Sequence, residues 1–229
     1  MWESFVEQFI TYNGYKMVLD GLKATALIAV CGLIIGIVIG TILAISKVLP
    51  QDKVAVKIWS KINDVYVWLF RGTPMVVQLL IFHFVLFPAL NIKIDNLVVA
   101  IAAFGLNSGA YVSEIMRGGI LSVDGGQMEA ARSLGMGYGS SMFKVVLPQA
   151  VKNILPTLGN EFITLVKETS VVSFIAVVDL TRAFKSIGDA TYEYVVPYLM
   201  LAAVYLVIVS LITLLIKLLE RRMRRSERR

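Results

Sequence analysis

Residues 127–148 read QMEAARSLGMGYGSSMFKVVLP. The stretch begins as good helix, QMEAARSL, rich in alanine and water-tolerant. It breaks at Gly135, Gly137 and Gly139, then resumes as the apolar run MFKVVLP, ending at Pro148. Asp124 and Gln127 have the spacing of an N-cap and its N3 partner. Gly135 stands where a left-handed residue would stop the helix, and Gly137 and Gly139 would let the chain turn. A second short amphipathic helix, Met142 to Leu147, would return the chain towards Pro148 and Pro156. This water-tolerant segment is unusual in its setting, because most of the chain around it suits lipid.

Of the 229 residues, 57% are hydrophobic and 17% charged, a balance of a membrane protein rather than a soluble domain. ATALIAVCGLIIGIVIGTILAIS, 24–46, is uncharged and long enough to span a bilayer. VVPYLMLAAVYLVIVSLITLLI, 195–216, is another such run, and its span is taken to 217. A span over 97–116 is polar in its second half, where Asn107 and Ser108 lie at mid-depth. A span over 65–88 needs Pro74 to act as a kink rather than an end. The span over 153–177 is the least typical, since Asn160, Glu161, Lys167 and Glu168 fall within it. Gly32, Gly36 and Gly40 repeat at four-residue spacing in the first span, a close-packing face. Segment 1–20 suits an amphipathic helix on the outer interface, with Trp2, Phe5, Val6, Phe9 and Ile10 at helical spacing. Residues 57–70 suit an inner-surface helix, with Ile58, Ile62, Val65 and Leu69 on one face.

The net charge of +6 arises mainly in the last thirteen residues, KLLERRMRRSERR. A basic run after an apolar span marks a cytoplasmic flank, here the tail 218–229, and argues against nucleic acid as the partner. Five spans then place the N-terminus outside and the C-terminus inside. The segments between put Lys47, Lys53, Lys57 and Lys61, then Arg117, Arg132, Lys144 and Lys152, on the inner side. The opening stretch therefore lies in a cytoplasmic loop, 118–150. That loop is several times longer than the roughly 2–8 residues a connection between helices needs. A short exposed helix within it is what a soluble partner's groove can grip.

EAARSLG at 129–135, followed by VVLP at 145–148, resembles the EAA loop of ABC importer membrane subunits. RGTPMVVQLLIF at 71–82 and LPTLGNEFITLVKETSVVS at 155–173 resemble the permeases for polar amino acids, the histidine, arginine and glutamine group. The sequence departs from that pattern at SVDGGQ, where a proline at position 124 would be usual, and in the glycine-rich MGYGSS. The resemblance implies an all-α integral membrane protein of the type I importer, MetI-like class, with five transmembrane helices and a cytoplasmic coupling helix. It implies an inner-membrane location in a prokaryote, a second permease subunit and a pair of ATP-binding cassette ATPases that hold ATP and Mg²⁺. An extracytoplasmic amino-acid-binding protein would deliver the solute. Glu129, Ala130, Ala131, Ser133, Leu134 and Gly135 would form the ATPase-docking surface, with Glu129 at the contact and Gly135 setting the turn.

On a helix, Asn160, Glu161, Thr164, Lys167 and Glu168 form one polar stripe. A central charge costs about 2.5–3.5 kcal/mol on insertion scales, so these groups must face protein or water. They could line the solute route, with Glu161 meeting a cationic side chain or an α-ammonium. Lys167 and Glu168 could equally form a structural ion network with each other or with Glu114. Asn107 and Ser108 suit either hydrogen bonds to a zwitterion or packing between helices. Arg71 and Thr73 fit a local cap or a phospholipid contact.

The chain has no GxxxxGK[ST], so a transport ATPase would have to be a partner. No Ser/His pair, HExxH or paired-aspartate motif supports a membrane hydrolase. The single histidine, His83, has no metal-ligand spacing. The single cysteine, Cys31, lies in an apolar run and suits packing better than nucleophilic chemistry. The remaining alternative is an ion-coupled or channel-like carrier, which leaves the long inner loop unexplained.

Overall fold

The computed structural model describes residues 2–49 and 52–225, with side chains to 223. Residues 226–229 of the basic tail lie outside the described residues. The described chain is helical throughout, without strands. An α-helical turn, Trp2–Phe5, runs into π-turns over Val6–Thr11 and forms α1. Then follow α2 (Gly14–Val48), α3 (Val54–Arg71), α4 (Met75–Ala89), α5 (Asn96–Leu121) and α6 (Gly125–Ser133). The helix α7 covers 138–168 and tightens into a 3₁₀ stretch, Thr169–Ile175. Two more complete the chain, α8 (Leu180–Thr191) and α9 (Val195–Arg225).

Among the described residues three helices are long and apolar enough to cross a membrane, namely α2, α5 and α9 over Val195–Met223; the bent pair α3 and α4 makes a fourth if taken as one span. The helix α7 is not among them.

The centre of the fold is the packing of α2 on α5. The expected glycine face is buried there: Gly32 meets Phe104, Gly36 meets Ser108, and Gly40 meets Val112 and Ser113. A Cβ at Gly36 would lie 2.5 Å from Ser108 Oγ. In return, Gly105 and Gly109 receive Ile35 and Ile39. With no hydrophobic drive between helices in lipid, such close approach is what holds a pair together. The opposite side of α2 leaves Val30, Ile34, Val38 and Ile42 exposed, as a lipid-facing surface requires. The main core then joins Ile28, Leu79, Phe104, Leu165 and Ile175 from α2, α4, α5, α7 and the 3₁₀ stretch.

Four sequence expectations change. The N-terminal helix does not reach residue 20: Asn13 is left-handed, and α2 starts at Gly14. Only Trp2–Thr11 forms a separate element, and Phe9 is buried against Phe184 of α8 rather than left at an interface. The span over 65–88 is not one kinked helix. It breaks after Arg71 and restarts at Met75 with a 103° bend. Pro74 cannot donate a backbone hydrogen bond, and buried Gln78 fills the gap. Its Nε2 donates to Phe70 O at 2.7 Å, Thr73 O at 2.9 Å and Thr73 Oγ1 at 2.9 Å. The apolar face of α3 predicted from Ile58, Ile62, Val65 and Leu69 is present and exposed. The fourth span leaves the α conformation at Glu168, short of 177. Finally, Met142–Leu147 is not a separate helix but a π-turn within α7. Pro148 supplies the reason. Leu147 N–H bonds to Met142 O, five residues back, just before a residue that has no N–H to give. The π-turn Phe82–Leu86 stands in the same relation to Pro88, with Phe87 N–H bonded to Phe82 O.

At the α1 end, Asp179 is buried and caps α8 by accepting from Thr181 N and Arg182 N, both at 3.0 Å. Gln8 joins α1 to this region, donating to Thr191 Oγ1 at 2.6 Å and Glu193 O at 3.1 Å.

Candidate functional site

Two features carry the sequence-predicted residues: an outward-standing short helix, and a polar seam between α5 and α7. The short helix, α6, is built by its own ends. Asp124 caps it, accepting from Gly126 N at 2.8 Å. At the other end Gly135 has φ +84°, its N–H bonds to Arg132 O at 2.9 Å, and Met136 N–H bonds to Ala131 O at 3.2 Å. That pair of bonds is a Schellman closure, which satisfies carbonyls a short helix would otherwise leave bare. Gly137 has φ −67° and Gly139 is helical, so the turn belongs to Gly135 alone.

The loop that carries this helix is anchored at three points. Tyr138 donates to Val48 O at 3.2 Å, tying the loop to the end of α2. Gln149 donates to Gln127 Oε1 at 3.3 Å, and Asn153 donates to Ser122 Oγ at 2.9 Å. Of the predicted docking residues, Glu129, Ala130, Ser133, Leu134 and Gly135 are exposed. Ala131 is buried and faces the protein's own interior. Ser133 is turned back on its helix, donating to Glu129 O at 3.0 Å. Leu134 is 84% exposed and Phe143, on the neighbouring π-turn, is 74% exposed. Phe143 is not among the docking residues suggested by the sequence, where its apolar run suits a short amphipathic helix returning towards Pro148.

The polar stripe of α7 divides in two. Glu161 is buried and accepts from Ser108 Oγ at 3.0 Å, with Ser108 packed on Gly36. Asn160, Thr164 and Lys167 are exposed on the adjoining face, and Glu168 is half-buried between them. Thr164 donates to Asn160 O at 3.1 Å. Asn107 does not join Glu161. It donates to Gln78 Oε1 at 2.9 Å and thereby stabilises the break between α3 and α4. The structure thus brings Ser108 and Glu161 together and gives Asn107 to the bend.

Glu114 does not pair with Lys167. Arg117 holds it through two hydrogen bonds, 3.3 and 3.0 Å, and Arg71 stands 3.8 Å away. Arg71 also lies over the ring of Tyr111, 5.3 Å from its centroid. It is therefore neither a simple cap nor a lone interfacial charge. Gln78, Tyr111 and Arg117 were not singled out from sequence. Each takes its role from a neighbour brought close only by the fold.

Residues 36–225 match the family of binding-protein-dependent transport system inner membrane components. The chain is 42% identical over 210 residues to the arginine transport system permease protein ArtQ of Bacillus subtilis, covering 92% of this chain and 94% of that protein. It is 37% identical over 212 residues to the putative glutamine transport system permease protein GlnP of Rickettsia typhi, covering 93% and 95% respectively. A crystal structure of an amino acid ABC transporter with histidines superposes with a TM-score of 0.85 at 39% identity, covering 93% of this chain and 98% of that one. The inward-facing MetNI methionine transporter, at 19% identity and a TM-score of 0.76, shares the fold. With the family match spanning most of its length, and the exposed, capped α6 standing where the EAA loop was read, the chain belongs to the inner membrane components of binding-protein-dependent transport systems, the permease subunits of ABC importers.

Proposed function

We propose that this chain forms one half of the membrane pathway of an ATP-driven importer for a polar amino acid, with arginine and glutamine the leading solutes. The observation that carries the reading is α6. It is exposed and closed at both ends by its own caps, and directly after its closing turn Tyr138, at the start of α7, bonds to the end of α2. The tight turn at Gly135 and the Gln149–Gln127 bond couple this helix to α7, and Tyr138 couples α7 to α2. So coupled, α6 can pass a push from a cytoplasmic ATPase into the bundle. Glu129, Ala130, Leu134 and Gly135 form the outward contact, and the exposed Phe143 extends it. Five crossings, with α7 as the fourth, put α6 and the basic tail in the cytosol.

The solute reading rests on α7. A second permease subunit and the solute route would cover the exposed Asn160, Thr164 and Lys167. Glu161, behind them, supplies a negative charge for an ammonium or guanidinium. The names of the arginine and glutamine permeases among the relatives support a polar amino acid. The external binding protein and the ATPase pair belong to the same reading.

The test is uptake into vesicles holding the reconstituted complex of this chain and its ATPase, assayed against a panel of amino acids. Solute-dependent ATP turnover is the expected result. Transport that persists without any ATPase would instead mean the ion-coupled or channel-like alternative. Within that assay, Glu161→Gln should reduce uptake of basic amino acids without lowering the amount of assembled complex. Unchanged uptake removes Glu161 from the route.

A further inference from the structure

A cleft of about 710 Å³ opens between α5, α7 and α9, at the end of the bundle from which α6 emerges. It is separate from the Glu161 seam. Its chemistry comes from Arg71, Tyr111, Glu114, Lys152, Asn153 and Glu220. Two cations and two carboxylates in one cleft are a poor trap for a simple anion or cation. They suit a molecule carrying both charges.

The geometry sharpens the choice. Arg71 is fixed by stacking on Tyr111, and its distance of 3.8 Å to Glu114 exceeds a hydrogen bond. Among the described residues no acceptor lies within hydrogen-bond reach of its guanidinium. That leaves a planar fork of donors, of the shape that matches a carboxylate, facing the cleft. Glu114 is already engaged by Arg117. Glu220, on α9, is the carboxylate left to receive an ammonium. The volume lies within the range of about 300–1,000 Å³ typical of small-molecule sites.

We infer that this cleft is a second binding station for a free α-amino acid, with the solute carboxylate on Arg71 and its ammonium on Glu220. The inference rests on the importer reading for its solute class. In that reading the station holds solute on the cytoplasmic side after it has passed Glu161, so high internal amino acid would occupy it and slow uptake.

The test uses the complete complex in nanodiscs, where both faces are open and the result does not depend on orientation or coupling. Thr157 is exposed at the cleft wall, and Cys31 is the chain's only cysteine. In a Cys31→Ser, Thr157→Cys chain, millimolar L-arginine and L-glutamine should slow maleimide labelling several-fold. Agmatine, which lacks the carboxylate, should not. Adding Glu161→Gln should leave the protection intact, whereas Arg71→Gln or Glu220→Gln should remove it. Should Arg71→Gln fail to assemble, Glu220→Gln carries the test. Labelling indifferent to amino acid, or equal protection by agmatine, would overturn the station. So would equal protection by phosphoethanolamine, which would make the cleft a lipid-headgroup site. Failure of the importer reading itself shows elsewhere, as uptake that needs no ATPase.

Discussion

Gly36 lies mid-way along α2 and Gly118 near the C-terminal end of α5, and both are helical. A Cβ at Gly36 would meet Ser108 Oγ at 2.5 Å, whereas one at Gly118 meets nothing within 4 Å. Gly36→Val should therefore separate α2 from α5 and cost about 1–3 kcal/mol, the usual penalty of overpacking. Gly118→Ala should be neutral or stabilise by roughly 0.5–1 kcal/mol through helix propensity. Thermal unfolding of the purified chain in one detergent checks both, and equal melting of the two variants would contradict the packing argument. Ser108→Ala should leave the Glu161 carboxylate without its donor, at a cost of about 1–3 kcal/mol. The same melting assay reads that loss. The four-residue glycine spacing in α2 was legible because it needs only helix geometry. The bond from Ser108 to Glu161 was not, since 53 residues separate the two and no local pattern joins them.

At the scale of one element, α6 could be read almost completely. Its N-cap, its length and its left-handed stop all follow from Asp124, the helix-forming EAARSL and Gly135. Three glycines suggested a broad hinge, but only Gly135 has a positive φ. Gly135→Ala should thus cost about 1–2 kcal/mol of left-handed strain and weaken ATPase binding. Gly137→Ala, at φ −67°, should be tolerated. Co-purification of the ATPase with each variant separates the two, and equal yields would return the turn to all three glycines. The break between α3 and α4 was less legible. Pro74 announced a disturbance, but a proline can kink a helix or end it. The outcome here is set by Gln78, which gathers Phe70 O, Thr73 and Asn107 at the break. Gln78→Leu should leave those groups unpaired and lower the melting temperature more than Gln149→Leu, whose partners are exposed or half-buried.

For the whole molecule, the decisive question is which helices cross. Hydropathy selects α2, α5 and α9 readily, because their apolar surface is continuous. It misses α7, whose polar stripe is covered on one side by Ser108 and lies open on the other. Topology is tested by single cysteines in a Cys31→Ser background. A membrane-impermeant maleimide added outside intact cells should label Tyr192→Cys, at an 88% exposed position, and spare Gly126→Cys. The reverse pattern would invert the molecule and remove the docking role of α6.

The sequence alone determined that this is a helical membrane chain with a capped, water-tolerant helix between two of its long helices. It could do so because hydropathy, charge bias and helix caps act over a few turns at most. The tertiary structure alone decided how the polar groups are shared out: Glu161 to Ser108, Asn107 to Gln78, and Glu114 to Arg117 and Arg71. A buried polar side chain takes whichever partner the packing of distant helices brings within about 3 Å, and helix packing is a property of whole faces.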